Sequence, residues 1–201
     1  MENDHDDNSL SDFHSPLATP HSPLSTSYDE HVWTSPRNAK RIVERISSAL
    51  CDIDLSNAVR YRTNTAAYLL ELDALDAEFR SIVNDAKRRT LIFADRFPFR
   101  YFTDAYGLHY RAAFPGCSTE TEPSAATVAF LINKVKAEKI PVVLYTEFSN
   151  RRMAEAVSET TGAAIRLFHS AHNVSRDDLA AGLGYAEIMR HNAGVLREAL
   201  N

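Results

Sequence analysis

Acids and imidazoles in this chain gather where short apolar runs end. Asp95 and Arg96 follow the run at 90–94, Glu147 follows 141–145, and His169 with His172 follow 164–168. Between the first two runs and the third, a polar loop over 115–122 carries Cys117, Glu120 and Glu122 ahead of Pro123-Ser124. His31 stands apart, just before Ser35-Pro36. Imidazole nitrogens and carboxylate oxygens brought to one place can ligate a divalent cation or pass a proton. A thiol beside an imidazole can instead attack a substrate. The alternative chemistry is therefore a Cys-dependent α/β hydrolase, with Cys117 as nucleophile, His169 or His172 as base and Glu147 orienting it. Against it stand the absence of a nucleophile-elbow pattern and a total of only six glycines. Plainer uses exist for each residue: Asp95 can cap a helix, Glu120 and Glu122 can complement a helix dipole, and Cys117 can be a small buried side chain.

Those positions follow from the pattern of elements. Ser35 as N-cap and Pro36 in the first turn open a helix over 36–50, where Ala39, Ile42, Val43, Ile46, Ala49 and Leu50 recur at helical spacing. A longer helix over 56–89, capped by Asp54 or Ser56, holds Val59, Tyr68, Leu69, Leu72, Leu75, Phe79, Ile82 and Val83 in a stripe without Gly or Pro. At 1.5 Å per residue it would reach about 45 Å, enough to cross between two bodies. The period then changes. Strand-like stretches at 90–94, 109–114, 141–145 and 164–168 alternate with helical stretches at 98–106, 124–138, 150–161 and 176–199. This predicts an α/β fold, a long linker helix followed by a mainly parallel four-stranded βα lobe. In such sheets ligands sit beyond the carboxyl ends of the strands, where the acids and imidazoles fall. The expected division is a tail over 1–28, a His-x-Trp segment with the first helix over 29–55, the linker helix over 56–89, and a C-terminal α/β lobe over 90–201.

Charge separates the tail from the rest. The 201 residues carry 22 Lys and Arg against 27 Asp and Glu, for a net charge of −5. Seven of the acids and none of the bases lie in residues 1–30. The segment to residue 28, poor in large apolar residues, cannot offset its ordering entropy and is expected to be disordered. His5, His14 and His21 among its acids can collect a divalent cation loosely. Mild acidity argues against a nucleic-acid partner, because phosphate neutralisation needs clustered cations. No apolar stretch approaches the roughly 18 residues of a spanning helix, and residues 1–30 show no signal-peptide pattern. Two cysteines, Cys51 and Cys117, make no disulfide framework.

The segment Asp29-Glu30-His31-Val32-Trp33-Thr34-Ser35-Pro36-Arg37-Asn38-Ala39 resembles the Asp-x-His-x-Trp-x-[Ser/Asp]-Pro-x-Asn-Ala signature of the metal-binding proteins of zinc and manganese ABC importers. The same family order continues in Glu71-Leu72-Asp73-Ala74-Leu75-Asp76, in Tyr101-Phe102 through Tyr106-Gly107-Leu108, in Thr119 to Ser124, and in Tyr185, Met189 and Asn192. The resemblance implies a solute-binding component that carries a divalent metal to a permease in the membrane, outside the cytoplasm. It also implies two α/β lobes joined by one long helix, with the ion held between them by four side chains. The first lobe and its His are absent from this sequence, so a truncated or degenerate protein is expected, with self-association through the face left exposed.

Of the family's first-half His pair, His31 remains and is the leading ligand. The second-lobe His or Glu falls nearest Arg96, whose guanidinium cannot ligate a cation. Asp95 takes that role if the chain shifts by one position. The late Asp of the family is replaced by Phe168-His169-Ser170-Ala171-His172, which brings His169 and His172 forward as nitrogen donors. Glu122 is a further ligand candidate. Such a mixture of nitrogen and oxygen donors suits zinc first and manganese second. No catalytic residue is expected; Trp33 should pack against the helix base, and Glu147 should hold the loops around the site.

Overall fold

The computed structural model describes residues 29–115 and 124–201. The tail over 1–28, expected to be disordered, lies outside them, as do Cys117, Glu120 and Glu122. Helix α1 (Pro36–Ile53) begins with Pro36 in its first turn and Ser35 at the N-cap, although the Ser35 hydroxyl makes no capping bond. The chain turns at Asp54, whose carboxylate accepts hydrogen bonds from Ser56, Asn57 and Tyr61. Those donors hold its pKa at about 2. Helix α2 (Ala58–Asn84) then runs for 27 residues, about 40 Å. Its second half buries Leu72, Leu75, Phe79, Ile82 and Val83, whereas Val59 and Leu70 in the first half are exposed. The helix stops at Asn84 rather than 89, because the amides of Lys87 and Arg88 donate to the Leu200 carbonyl at 3.1 and 3.2 Å.

Four parallel strands follow: β1 (Thr90–Phe97), β2 (His109–Pro115), β3 (Val142–Tyr145) and β4 (Ala164–Leu167). Between β1 and β2 lies α3 (Arg100–Tyr106), between β2 and β3 lies α4 (Ala125–Glu138), and between β3 and β4 lies α5 (Arg152–Thr161). The spatial order is β2-β1-β3-β4. Both faces of the sheet are covered, which is why the central strands β1 and β3 carry unbroken apolar runs over 91–94 and 142–145. Leu91, Phe93, Val142 and Leu144 face one core with Phe79, Phe99, Phe102 and Phe168. Ile92, Ala94 and Val143 face a second core with Leu131, Val135 and Val157.

Two departures from the pattern matter. Strand β1 runs on to Phe97, and its pairing with β2 slips by one residue between Phe93 and Arg96. That bulge re-aims the side chains at the strand end. The last helical stretch, expected to be continuous over 176–199, is two helices, α6 (Arg176–Ala180) and α7 (Tyr185–Leu200). Gly182 adopts φ +74°, a left-handed conformation that interrupts the helix. Glu187 then caps the backbone of Gly184 at the start of α7.

Candidate metal centre

The strand order reverses between β1 and β3, and in open parallel sheets the crevice beyond the strand ends at such a point is where ligands sit. A cleft of about 240 Å³ occupies it here, lined among others by His31, Asp95, Arg96, Glu147 and His172. Three segments far apart in sequence converge on it.

The first is the stretch around His31. The imidazole is buried, 3% exposed. One oxygen of Asp29, Oδ1, accepts both the backbone N–H of His31 at 2.9 Å and its ring Nδ1–H at 2.8 Å. With the proton held at Nδ1 by a carboxylate, Nε2 is the basic nitrogen, the arrangement that orients metal-binding imidazoles. A 3₁₀ turn over Val32–Thr34 follows, closed by the Thr34 hydroxyl donating to the His31 carbonyl at 2.8 Å. Trp33 does more than pack. Its indole Nε1 donates to the Ser170 carbonyl at 3.0 Å, and its own carbonyl accepts from the Tyr185 hydroxyl at 2.8 Å. Burial raises the pKa of Tyr185, so the phenol stays protonated and donates.

The second segment is the loop after β4. Asn192 clasps the backbone of His169 from α7, accepting from its amide at 2.8 Å and donating to its carbonyl at 2.7 Å. Ser170 donates through its amide and its hydroxyl to the Glu147 carboxylate, and the amide of His172 donates to the Ser170 hydroxyl at 3.2 Å. Glu147 thus ties the β3 loop to the β4 loop, as expected of it. The two histidines part company here. His172 stands 5.8 Å from His31, ring centroid to centroid, and 5.6 Å from Trp33. The Nδ1 of His169 instead accepts the Ala171 amide at 2.9 Å and lies 3.6 Å from Glu147. That ring is turned onto its own loop, and Ala171 takes φ +56° to make the turn. His169 is not among the residues lining the cleft.

The third segment is the end of β1. Asp95 is buried and caps no helix. Its Oδ2 accepts from the Thr146 amide at 2.9 Å and hydroxyl at 2.7 Å, and its Oδ1 from the Arg96 amide at 2.8 Å. The carboxylate therefore bridges the ends of β1 and β3, while the Arg96 side chain is exposed on the cleft.

The structure brings His31, His172 and Asp95 to one cleft, sets His169 behind it, and leaves Glu122 outside the described residues. A tetrahedral zinc with Zn–N near 2.0–2.1 Å places two imidazole centroids roughly 5 Å apart. The 5.8 Å between His31 and His172 is wider than that spacing. Among the described residues the ligand atoms of Asp29, Glu30 and His31 also lie within 4.8 Å of one another. Asp29 is the partner that sequence reasoning passed over; its signal is the Asp-x-His spacing, which lets a carboxylate reach back to the ring.

The chain is similar to known zinc-uptake and zinc-binding proteins. The chain is 29% identical over 176 residues to the high-affinity zinc uptake system protein ZnuA of Bacillus subtilis, covering 88% of this chain and 54% of that protein. To the zinc-binding lipoprotein AdcA of Streptococcus pneumoniae it is 30% identical over 171 residues, 85% of this chain and 34% of the relative. The chain thus spans about half or less of the curated relatives it matches. Among solved structures, the metal-dependent lipoprotein YcdH of Bacillus subtilis superposes with a TM-score of 0.75 at 29% identity, over 86% of this chain and 64% of that one. The Zn(II)-bound ZnuA-like domain of Streptococcus pneumoniae AdcA superposes with a TM-score of 0.73 at 28% identity, over 89% and 66%. Residues 1–199 match the family described as zinc-uptake complex component A, periplasmic, and the chain belongs to that family.

Proposed function

We propose that this chain carries zinc for an ABC importer, holding the ion as cargo at the strand-end cleft and performing no chemistry on it. The observation that carries the reading is the pair of imidazoles, His31 and His172, facing one cleft with Asp29 fixing the His31 ring. His31 Nε2 and a ring nitrogen of His172 supply the nitrogen donors. Asp95 supplies an oxygen, since its Oδ1 accepts one N–H and a carboxylate oxygen has a second lone pair. Glu122, on the loop after β2, is the other oxygen candidate. His169 supports the loop that aims His172. Nitrogen donors favour zinc over manganese, which prefers an all-oxygen set.

The partner is a membrane permease, and the place of work is outside the cytoplasmic membrane, since relatives are named as lipoproteins and the family as periplasmic. Calorimetric titration of the purified chain tests the reading. Zinc is expected to bind at one site, manganese more weakly, and His31→Ala and His172→Ala each to weaken zinc. No measurable zinc binding, or binding indifferent to both substitutions, overturns it.

A further inference from the structure

The two imidazoles of the cleft stand on segments that the sheet does not hold. His31 precedes the 3₁₀ turn over Val32–Thr34, and His172 lies on the loop beyond β4. That loop leaves the sheet after the Phe168 amide has bonded to the Tyr145 carbonyl at 2.9 Å. The N–H and C=O of His169, the next residue, are buried and need partners from elsewhere. Asn192 meets both groups, at 2.8 and 2.7 Å. Its carboxamide pairs an acceptor with a donor as a peptide group does, so it stands in for a neighbouring strand. It is fully buried, and its amide nitrogen also lies 3.4 Å from the Met189 sulfur. Seven residues earlier on the same helix, the Tyr185 hydroxyl holds the carbonyl of Trp33, in the turn that follows His31.

Seven residues are about two turns and about 10 Å of helix, so Tyr185 and Asn192 share one face of α7. The helix is fixed in turn by Met189, Ala193, Leu196 and Leu200 in the core. Arg190 and Arg197, also seven residues apart, tie it to Glu71 and Glu78 of α2. The bond from the Trp33 indole to the Ser170 carbonyl closes a ring that runs from the His31 turn through α7 to the His172 loop and back. Zinc binds imidazole within a narrow range of about 2.0–2.1 Å, so the separation of two donors on separate segments decides how well both can reach one ion. Resting on the reading that His31 and His172 hold zinc, we propose that α7 is the frame that sets this separation, with Tyr185 and Asn192 as positioning residues. Neither is among the residues lining the cleft. Tyr185 acts on His31 through Trp33, and Asn192 acts on His172 through His169 and Ser170.

Competition with a zinc indicator measures the affinity of the full chain and its variants well below their melting temperatures, with circular dichroism verifying that each folds. Tyr185→Phe keeps the ring and removes the hydroxyl; Asn192→Ala removes both bonds to His169, and Asn192→Ser replaces it where the alanine chain does not fold. Each is expected to weaken zinc by about tenfold, the low end of the loss on removing an outer partner of a metal ligand. Val195→Ala, a core truncation on the same helix, lowers the melting temperature but leaves zinc affinity within about twofold, which separates positioning from stability. The losses are also paired: Asn192→Ala costs little further once His172 is replaced by Ala, and Tyr185→Phe little further once His31 is. Zinc affinity that depends on both histidines but is unchanged in either positioning variant overturns the frame alone. So does a loss in Val195→Ala as large as theirs, or losses that simply add to those of the histidine substitutions. Zinc that does not bind, or binds regardless of both histidines, overturns the frame and the reading beneath it.

Discussion

Asp29→Ala separates the parts that Asp29 and His31 play. Both the backbone amide and the Nδ1–H of His31 end on Asp29 Oδ1, at 2.9 and 2.8 Å, and the ring they hold is 3% exposed. Removing the carboxylate leaves buried donors without an acceptor, a penalty of about 1–3 kcal/mol. It also releases the proton to move to Nε2, which then cannot bind a cation. Loss of the orienting partner of a metal-bound imidazole lowers affinity by about 10–100-fold, or about 1.4–2.7 kcal/mol. Competition against a zinc indicator measures this, with Asp29→Asn and His31→Ala beside it. Asp29→Asn keeps an accepting oxygen without the charge and is expected to fall between Asp29→Ala and the unsubstituted chain. His31→Ala removes the donor itself and is expected to be the most severe. An Asp29→Ala protein that binds zinc within about twofold of the original refutes the orienting role. One as defective as His31→Ala makes Asp29 itself a ligand, which its place within 4.8 Å of the Glu30 and His31 donor atoms would allow.

Three further outcomes are expected. Trp33→Phe loses the bond to the Ser170 carbonyl, worth about 1 kcal/mol, and a melting curve should drop by about 2–4 °C for a domain of this size. Asp76 joins Arg37 of α1, Arg80 of α2 and Tyr106 of α3; burial alone would raise its pKa, but hydrogen bonds from Arg80, Tyr106 and Arg37 outweigh it and hold the carboxyl below 3.8. A depressed pKa contributes stability that is full above the unfolded value and lost as pH falls through the folded one. Asp76→Asn should therefore cost about 1.5–3 kcal/mol at neutral pH, the worth of a hydrogen bond to a charged group, since the arginines left behind face solvent, and flatten the acid limb of the stability profile below about pH 4, read by urea unfolding across pH. Gly182→Ala meets no atom within 4 Å but must adopt φ +74°; thermal melting should show a loss of about 1 kcal/mol, with zinc affinity unchanged.

Much of the fold is local and therefore legible. The apolar runs of the central strands β1 and β3 are continuous because both faces of the sheet are buried there, and the stripe of α2 from Leu72 to Val83 is unbroken because a single core receives it. The helix over 176–199 read as continuous because Leu179, Leu183, Ile188 and Met189 keep helical spacing through a pair of glycines whose breaking role depends on the backbone angle at Gly182. At the site, His31 was legible because its neighbours along the chain build its environment. The different fates of His169 and His172 were not. They follow from Glu147, 23 residues before Ser170, from Asn192, 23 residues after His169, and from the left-handed turn at Ala171. The link from Asp95 to Thr146 crosses 51 residues and left no local pattern to read.

X-ray absorption at the zinc edge of the loaded chain counts the donors directly. A first shell of nitrogen and oxygen at about 2.0–2.1 Å, with the outer-shell scattering of two imidazoles, is the expected result, and removing either His31 or His172 should leave one. A sulfur shell at about 2.3 Å, or an imidazole count that neither substitution changes, would contradict a zinc held by His31 and His172.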